Sequence, residues 1–285
     1  MTFPLPGAMS SALVRAALDE DRAREDVTTL AMVPPDLRAS AELVARAPGV
    51  LAGLPLVQAV FKSLDDAMTL RELKSDGARV SANETVLEIR GPARAMLSGE
   101  RVALNFVQRL SGIATLTARF VDAVRGTNAK ILDTRKTTPG LRVLERYAVR
   151  CGGGTNHRDD LAAAVLIKDN HLATIGGDIA LAVRRAREFA RAGIQVEVEC
   201  DRRDQVVAAL AAKADVILLD NMSCDEMRGC VELVGGAAIV EASGGITLAN
   251  VREVAETGVD WISIGALTHS APALDLALDF RAGDD

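Results

Sequence analysis

Apolar and polar positions follow two rhythms along this chain. Up to about Gly91 the texture is mixed. An amphipathic stretch from Ser11 to Glu20 predicts a helix, and Glu25-Asp26-Val27-Thr28-Thr29 reads as a loop. Glu42-Leu43-Val44-Ala45-Arg46 and Thr85-Val86-Leu87-Glu88-Ile89 alternate like strands, punctuated by Pro48-Gly49 and Asp76-Gly77 turns. From Ala93 to Arg125 the pattern is helical, with Leu104, Val107, Leu110 and Ala114 at helical spacing; Ser111-Gly112 marks a break or a close packing point.

After Lys130 short apolar blocks alternate with amphipathic stretches. Strands are predicted at Ile131-Leu132, Val165–Ile167, Val196–Val198, Val216–Leu219, Ala238–Val240 and Trp261–Ile264. Helices are predicted at Ile179–Ala192, Gln205–Ala212, Cys224–Leu233 and Leu248–Thr257. Buried β-branched runs joined by helices imply a parallel sheet with right-handed crossovers. Six strands are too few for a closed eight-stranded barrel, so the expectation is α/β with an open, incomplete barrel.

Composition narrows the classes. At 285 residues, with 49% apolar and 25% charged residues, the chain can bury a real core and is not disordered. A net charge of −6 and eight aromatic residues (six Phe, one Tyr, one Trp) argue against nucleic acid and anionic membranes as partners. The charge-free opening, Thr2 to Val14, is too short to span a bilayer and lacks a basic leader. Cys151, Cys200, Cys224 and Cys230 form no CxxC pair, and the histidines lack zinc-site spacing, so reduced thiols in a cytoplasm are expected.

Polar residues collect where the predicted strands end: Asp133–Lys136, Lys168–His171, Glu199 with Asp201, Asp220-Asn221, Ser243–Gly245 and Gly265. In βα-barrels that end carries the active face. Between Arg135 and Lys168 there are seven basic residues against three acidic ones in an acidic chain. Arg142, Arg146 and Arg150, four apart, read as a solvated helix face, whereas Arg135, Lys136 and Lys168 directly follow buried strands, gather at the mouth and call for a polyanion. Cys151-Gly152-Gly153-Gly154 reads either as a helix end or as backbone that a ligand can approach, and His157 as an acid, a carboxylate donor or a structural partner. Ser243–Gly245, Gly265 and the N-terminus of the following helix suggest a phosphate cradle. Glu199 and Asp220 are candidates to hold Mg²⁺, to accept from ribose hydroxyls, or to pair with the basic residues opposite.

Several motifs occur together in order: Glu100-Arg101-Val102-Ala103-Leu104-Asn105, Leu110–Thr115, Asp133-Thr134-Arg135-Lys136-Thr137-Thr138-Pro139-Gly140, Tyr147–Gly154, Asn156-His157-Arg158, Leu166–His171, Leu219-Asp220-Asn221, Glu241–Ile246 and Gly265–Ser270. With Asp26-Val27-Thr28-Thr29 near the start, they resemble the quinolinate phosphoribosyltransferases over nearly the whole chain. The resemblance implies an N-terminal α/β sandwich over residues 1–108 and an open α/β barrel over 109–270, with 271–285 packing back on the first domain. It implies transfer of phosphoribose from phosphoribosyl pyrophosphate to quinolinate with Mg²⁺, giving nicotinate mononucleotide, pyrophosphate and CO2 on the way to NAD. It further implies a homodimer, with Arg101 supplied across the interface to a quinolinate site of Arg135, His157, Arg158 and Lys168, joined by Lys136. Glu199 and Asp220 fall on the ribose and magnesium side, and Ser243, Gly244, Gly245 and Gly265, with His269 beside them, on the phosphate side. Asp159-Asp160 departs from the family pattern and is expected to face solvent as helix N-terminal charges. The alternatives are a paralogue linked to molybdenum uptake, a Schiff-base barrel enzyme using Lys168, and a non-catalytic anion binder.

Overall fold

The alternating runs near the start pair into sheets in the computed structural model, which describes residues 2–5 and 7–282. The chain resolves into two units, one made of Met1–Ala118, Thr138–Gly153 and Ser270–Asp285, the other of Arg119–Thr137 and Gly154–His269.

In the first unit β1 (Arg38–Ala45), β2 (Gly49–Val50), β3 (Thr69–Glu72), β4 (Arg79–Val80) and β5 (Glu84–Pro92) appear in turn. A last strand near the C-terminus, Leu276–Ala282, pairs antiparallel with β1 and completes a sheet in which β1 and β5 are central and β3 is at the other edge. Ala39, Ala41 and Leu43 alternate inward along β1, as period two requires. Asp26 is not in a loop but caps the helix Val27–Met32, accepting from Thr28 N at 3.1 Å and Thr29 N at 3.0 Å. The long helix Ala93–Ala123 runs unbroken through Ser111-Gly112. Those small residues are a packing point: a Cβ on Gly112 would stand 2.1 Å from Pro272 O, and Ser111 Oγ accepts the Ala52 N–H at 3.0 Å. The helix Arg142–Cys151 corrects a second expectation, since Arg146 is buried rather than solvated. Gly152 is likewise packed against Ala114 O and Thr117, not held open for a ligand.

The second unit is built on six parallel strands: β6 (Lys130–Leu132), β7 (Val165–Ile167), β8 (Val196–Cys200), β9 (Val216–Asp220), β10 (Ile239–Ser243) and β11 (Trp261–Ser263). Their order is β6-β11-β10-β9-β8-β7, so β6 and β7 are the two edges and the barrel is open. Thr155 makes a single parallel bridge to Leu132 at the β6 edge, and Arg158 Nη1 donates to Ala164 O, just before β7, at 2.9 Å. The segment between them therefore runs from one edge to the other. Helices Ile179–Phe189, Arg203–Ala211 and Cys224–Val234 lie between consecutive strands. The helix after β10 is shorter than expected, Val251–Ala255; Thr247 to Asn250 is a turn in which Asn250 Oδ1 accepts the Thr247 N–H at 2.7 Å. Among the described residues no helix is long and apolar enough to cross a membrane, and no disulfide joins the cysteines.

Candidate active site

Parallel strands that end together deliver their following residues to one place. In the second unit that place is a cavity of about 620 Å³ lined by Thr134, Arg135, Lys136, His157, Arg158, Lys168, Glu199, Asp220, Asn221, Glu241, Ser243, Gly244, Gly245 and Ser263, among others. The four cations expected at the mouth thus converge. Arg158 is held below its ordinary pKa by burial and by the Arg135 charge beside it, which the Glu197 and Asp160 charges only partly offset. Arg135 Nε is buried with no hydrogen-bond partner among the described residues.

Glu199 pairs with a basic residue opposite it, one of the readings open from the sequence: Lys168 Nζ lies 2.6 Å from its Oε2. Asp220, at the end of β9, accepts from Asn221 Nδ2 at 2.8 Å and stands in register with Ser243 on β10. Gly244 has φ +88°, and a Cβ there would lie 2.2 Å from Asn221 Oδ1, so only glycine fits this turn. The helix that follows, Val251–Ala255, has five residues and starts later than expected, so it does not give the helix-end contribution expected beside this loop from the sequence.

Gly265 and His269 lie beside the cavity rather than in its lining. A Cβ on Gly265 would meet Lys136 Cδ at 2.8 Å and His269 Nε2 at 3.2 Å, so the glycine leaves room for the lysine stem. Thr268 Oγ1 donates to Lys136 O at 2.8 Å and fixes the same residue. Arg101 is exposed on the long helix of the first unit. Asp160 starts no helix; its Oδ1 accepts from Ala162 N and Ala163 N, at 2.8 and 3.0 Å, and orders the loop.

His157 is the residue whose surroundings differ most from expectation. Its backbone N–H donates to the buried Asp133 at 2.8 Å. Its Nε2 faces Glu241 Oε2 at 3.1 Å and Glu197 Oε2 at 3.4 Å, both acids fully buried. Nδ1 accepts the Arg158 N–H at 2.8 Å. Burial by itself would lower the imidazole pKa, but the two carboxylates outweigh it and raise the group to about 10, while burial and the Glu241 carboxylate push Glu197 up. His157 and Glu197, both raised, hold an extra proton between them at neutral pH. Because Nδ1 accepts the Arg158 N–H, the hydrogen that the imidazole directs at the two carboxylates is on Nε2. The three ligand-type atoms lie within 4.8 Å of one another, yet this tautomer leaves Nε2 no lone pair for a metal. Glu197 and Glu241 escaped the sequence reading; the available signal was an acid inside a strand buried on both faces.

Comparison with known proteins decides the family. The model described as "Quinolinate phosphoribosyl transferase, C-terminal domain" matches residues 113–279, and the corresponding N-terminal domain matches residues 26–111. The chain belongs to the quinolinate phosphoribosyl transferase family. It is 45% identical over 245 residues to a probable nicotinate-nucleotide pyrophosphorylase (carboxylating) of Bacillus subtilis, covering 86% of this chain and 84% of that one. It is 42% identical over 275 residues to the human nicotinate-nucleotide pyrophosphorylase (carboxylating), covering 94% and 92%. The structure of the nicotinate-nucleotide pyrophosphorylase from Francisella tularensis superposes with a TM-score of 0.93 at 40% identity, covering 98% of each chain.

Proposed function

We propose that this family member is a phosphoribosyltransferase that joins quinolinate to phosphoribosyl pyrophosphate, yielding nicotinate mononucleotide, pyrophosphate and CO2 for NAD synthesis in the cytoplasm. One observation carries the reading: Arg135, Lys136, Arg158 and Lys168 face a single cavity together with Glu199, Asp220 and the Ser243–Gly245 loop. A dicarboxylate satisfies the cations, and its oxygens supply an acceptor for the orphaned Arg135 Nε. The glycine loop takes the 5′-phosphate through its backbone N–H groups. Gly265 and His269 serve that side indirectly, by placing Lys136.

Glu199 and Asp220 are hard oxygen donors at the ends of neighbouring strands, a set that suits Mg²⁺, which keeps waters and substrate phosphates in its shell. When bound, the ion neutralises charge on the departing pyrophosphate. The two carboxylates favour the positive charge that develops on the ribose ring as the pyridine nitrogen attacks. The resulting pyridinium stabilises the electron pair left on the ring carbon when the adjacent carboxylate departs as CO2, and that carbon then takes a proton from water to give the mononucleotide. Binding energy from both anions aligns the reacting atoms. The reading includes a homodimer, with the exposed Arg101 reaching the cavity of a second copy; Val27 and Met32, 79% and 77% exposed on one short helix, are apolar surface that a second copy would cover.

The test is an assay of purified protein with quinolinate, phosphoribosyl pyrophosphate and Mg²⁺, following the mononucleotide, with nicotinate as the control. Turnover with quinolinate alone is expected. Equal use of nicotinate, or binding without pyrophosphate release, overturns the reading.

A further inference from the structure

Arg158 is held against two repulsions: its own desolvation and the charge of Arg135. It also has somewhere to go. His157 and Arg158 line the 620 Å³ cavity on one side and, on the other, a second cavity of about 320 Å³ bordered by Leu132, Gln195, Val216 and Trp261. Packing alone therefore does not pin this segment. Hydrogen bonds hold it: Asp133 accepts the His157 N–H and Ala164 O accepts from Arg158 Nη1, and through the ring itself Glu241 Oε2 accepts from His157 Nε2 at 3.1 Å while His157 Nδ1 accepts from the Arg158 backbone N–H at 2.8 Å. Both ring nitrogens are thus engaged by the protein, so the imidazole stands as a post behind the arginine. Trp261 meets the ring edge-on, with centroids 6.3 Å apart, and closes its remaining side.

We propose that Glu241 is a positioning residue, which acts through His157 to hold Arg158 where the dicarboxylate binds. This rests on the function proposed above. The requirement is an oxygen acceptor at close hydrogen-bond distance from Nε2: glutamine at 241 supplies one, whereas alanine leaves only Glu197 Oε2, at 3.4 Å. In Glu241→Ala the KM for quinolinate should rise about 10-fold or more, with the KM for phosphoribosyl pyrophosphate and kcat within about 3-fold, because the interaction lost serves one substrate only. Glu241→Gln should recover most of that loss. In the unmodified protein ¹⁵N NMR of the imidazole should show the hydrogen on Nε2.

An alanine variant that raises both KM values equally, one that leaves the quinolinate KM unchanged, or a glutamine variant as impaired as alanine overturns the proposal. Should Glu241→Ala not fold, the glutamine variant and the tautomer still decide it: a hydrogen on Nδ1 sinks the arrangement. Absence of quinolinate turnover in the unmodified protein overturns the reaction instead, and the NMR result stands apart from it.

Discussion

The two larger sheets of this protein treat burial differently. In β1 and β5 every buried position is apolar or glycine, and the acids Glu42 and Glu88 stay half exposed. In the parallel sheet Glu197, Glu241 and Ser263 are buried in the strands themselves, and Asp133 just beyond β6 is fully buried. A buried acid is costly unless it is hydrogen-bonded or paired. Each of these three acids faces the Asn156-His157-Arg158 segment: Asp133 takes Asn156 Nδ2 at 2.5 Å and the His157 N–H, and the two glutamates take the imidazole. The antiparallel sheet spends its interior on stability; the parallel one carries polar cost to hold a binding segment in place. Substitutions should therefore separate cleanly, with stability lost in the first unit and turnover in the second.

The largest effect falls on the cations. Removing Arg158 or Lys136 as alanine deletes a charge-assisted contact to substrate, on the order of 2–4 kcal/mol, or roughly 30- to 1,000-fold in kcat/KM for quinolinate. Melting temperature should be nearly unchanged. Near-normal kinetics in either variant breaks the comparison at its centre. Next comes the first unit, where Gly112→Ala forces a methyl group against Pro272 O. Overpacking of that kind costs about 1–3 kcal/mol, so the expected result is a lower melting temperature with kcat/KM preserved in the folded fraction.

Much of this division was legible in the residues. The six parallel strands lie within about two residues of their predicted places, because apolar β-branched runs between amphipathic helices have few other solutions. Arg135, Lys136 and Lys168 were marked by following buried strands directly and Arg158 by the family resemblance, and the four meet at one cavity. What escaped depends on distant partners. Ser111-Gly112 looks like a helix break until Ala52 and Pro272 are beside it. Arg146 looks solvated by its spacing, yet the helix that bears it is buried along most of its length. Glu197 and Glu241 look like surface acids on a strand; only the sheet shows that they point at the same imidazole.

A third effect is smaller and depends on pH. In the native protein the coupled His157 and Glu197 keep a proton to about pH 10 that an unfolded histidine releases near 6.5. The raised native value means that the stabilisation is complete below about 6.5 and is lost as pH rises through about 10. Melting temperature should fall between pH 7 and 10, and His157→Gln should flatten that slope; an equal slope in both proteins would show that the cluster binds no extra proton.

The smallest effect belongs to the exposed face of the first sheet. Arg71 on β3 pairs with Glu88 on β5 through two hydrogen bonds, one of them 2.9 Å from Nε to Oε2, and each group's pKa moves in the direction that favours its charge, chiefly through that hydrogen bonding. The arginine side chain is 68% exposed, so water and salt screen the pair, and the side-chain entropy of holding it offsets much of the attraction. Arg71→Gln should leave melting temperature and kcat/KM within error at physiological salt. A loss visible only at low ionic strength would agree with this assignment. A loss that persists in high salt would mean that the sheet's outer face, and not only its apolar interior, supports the first unit.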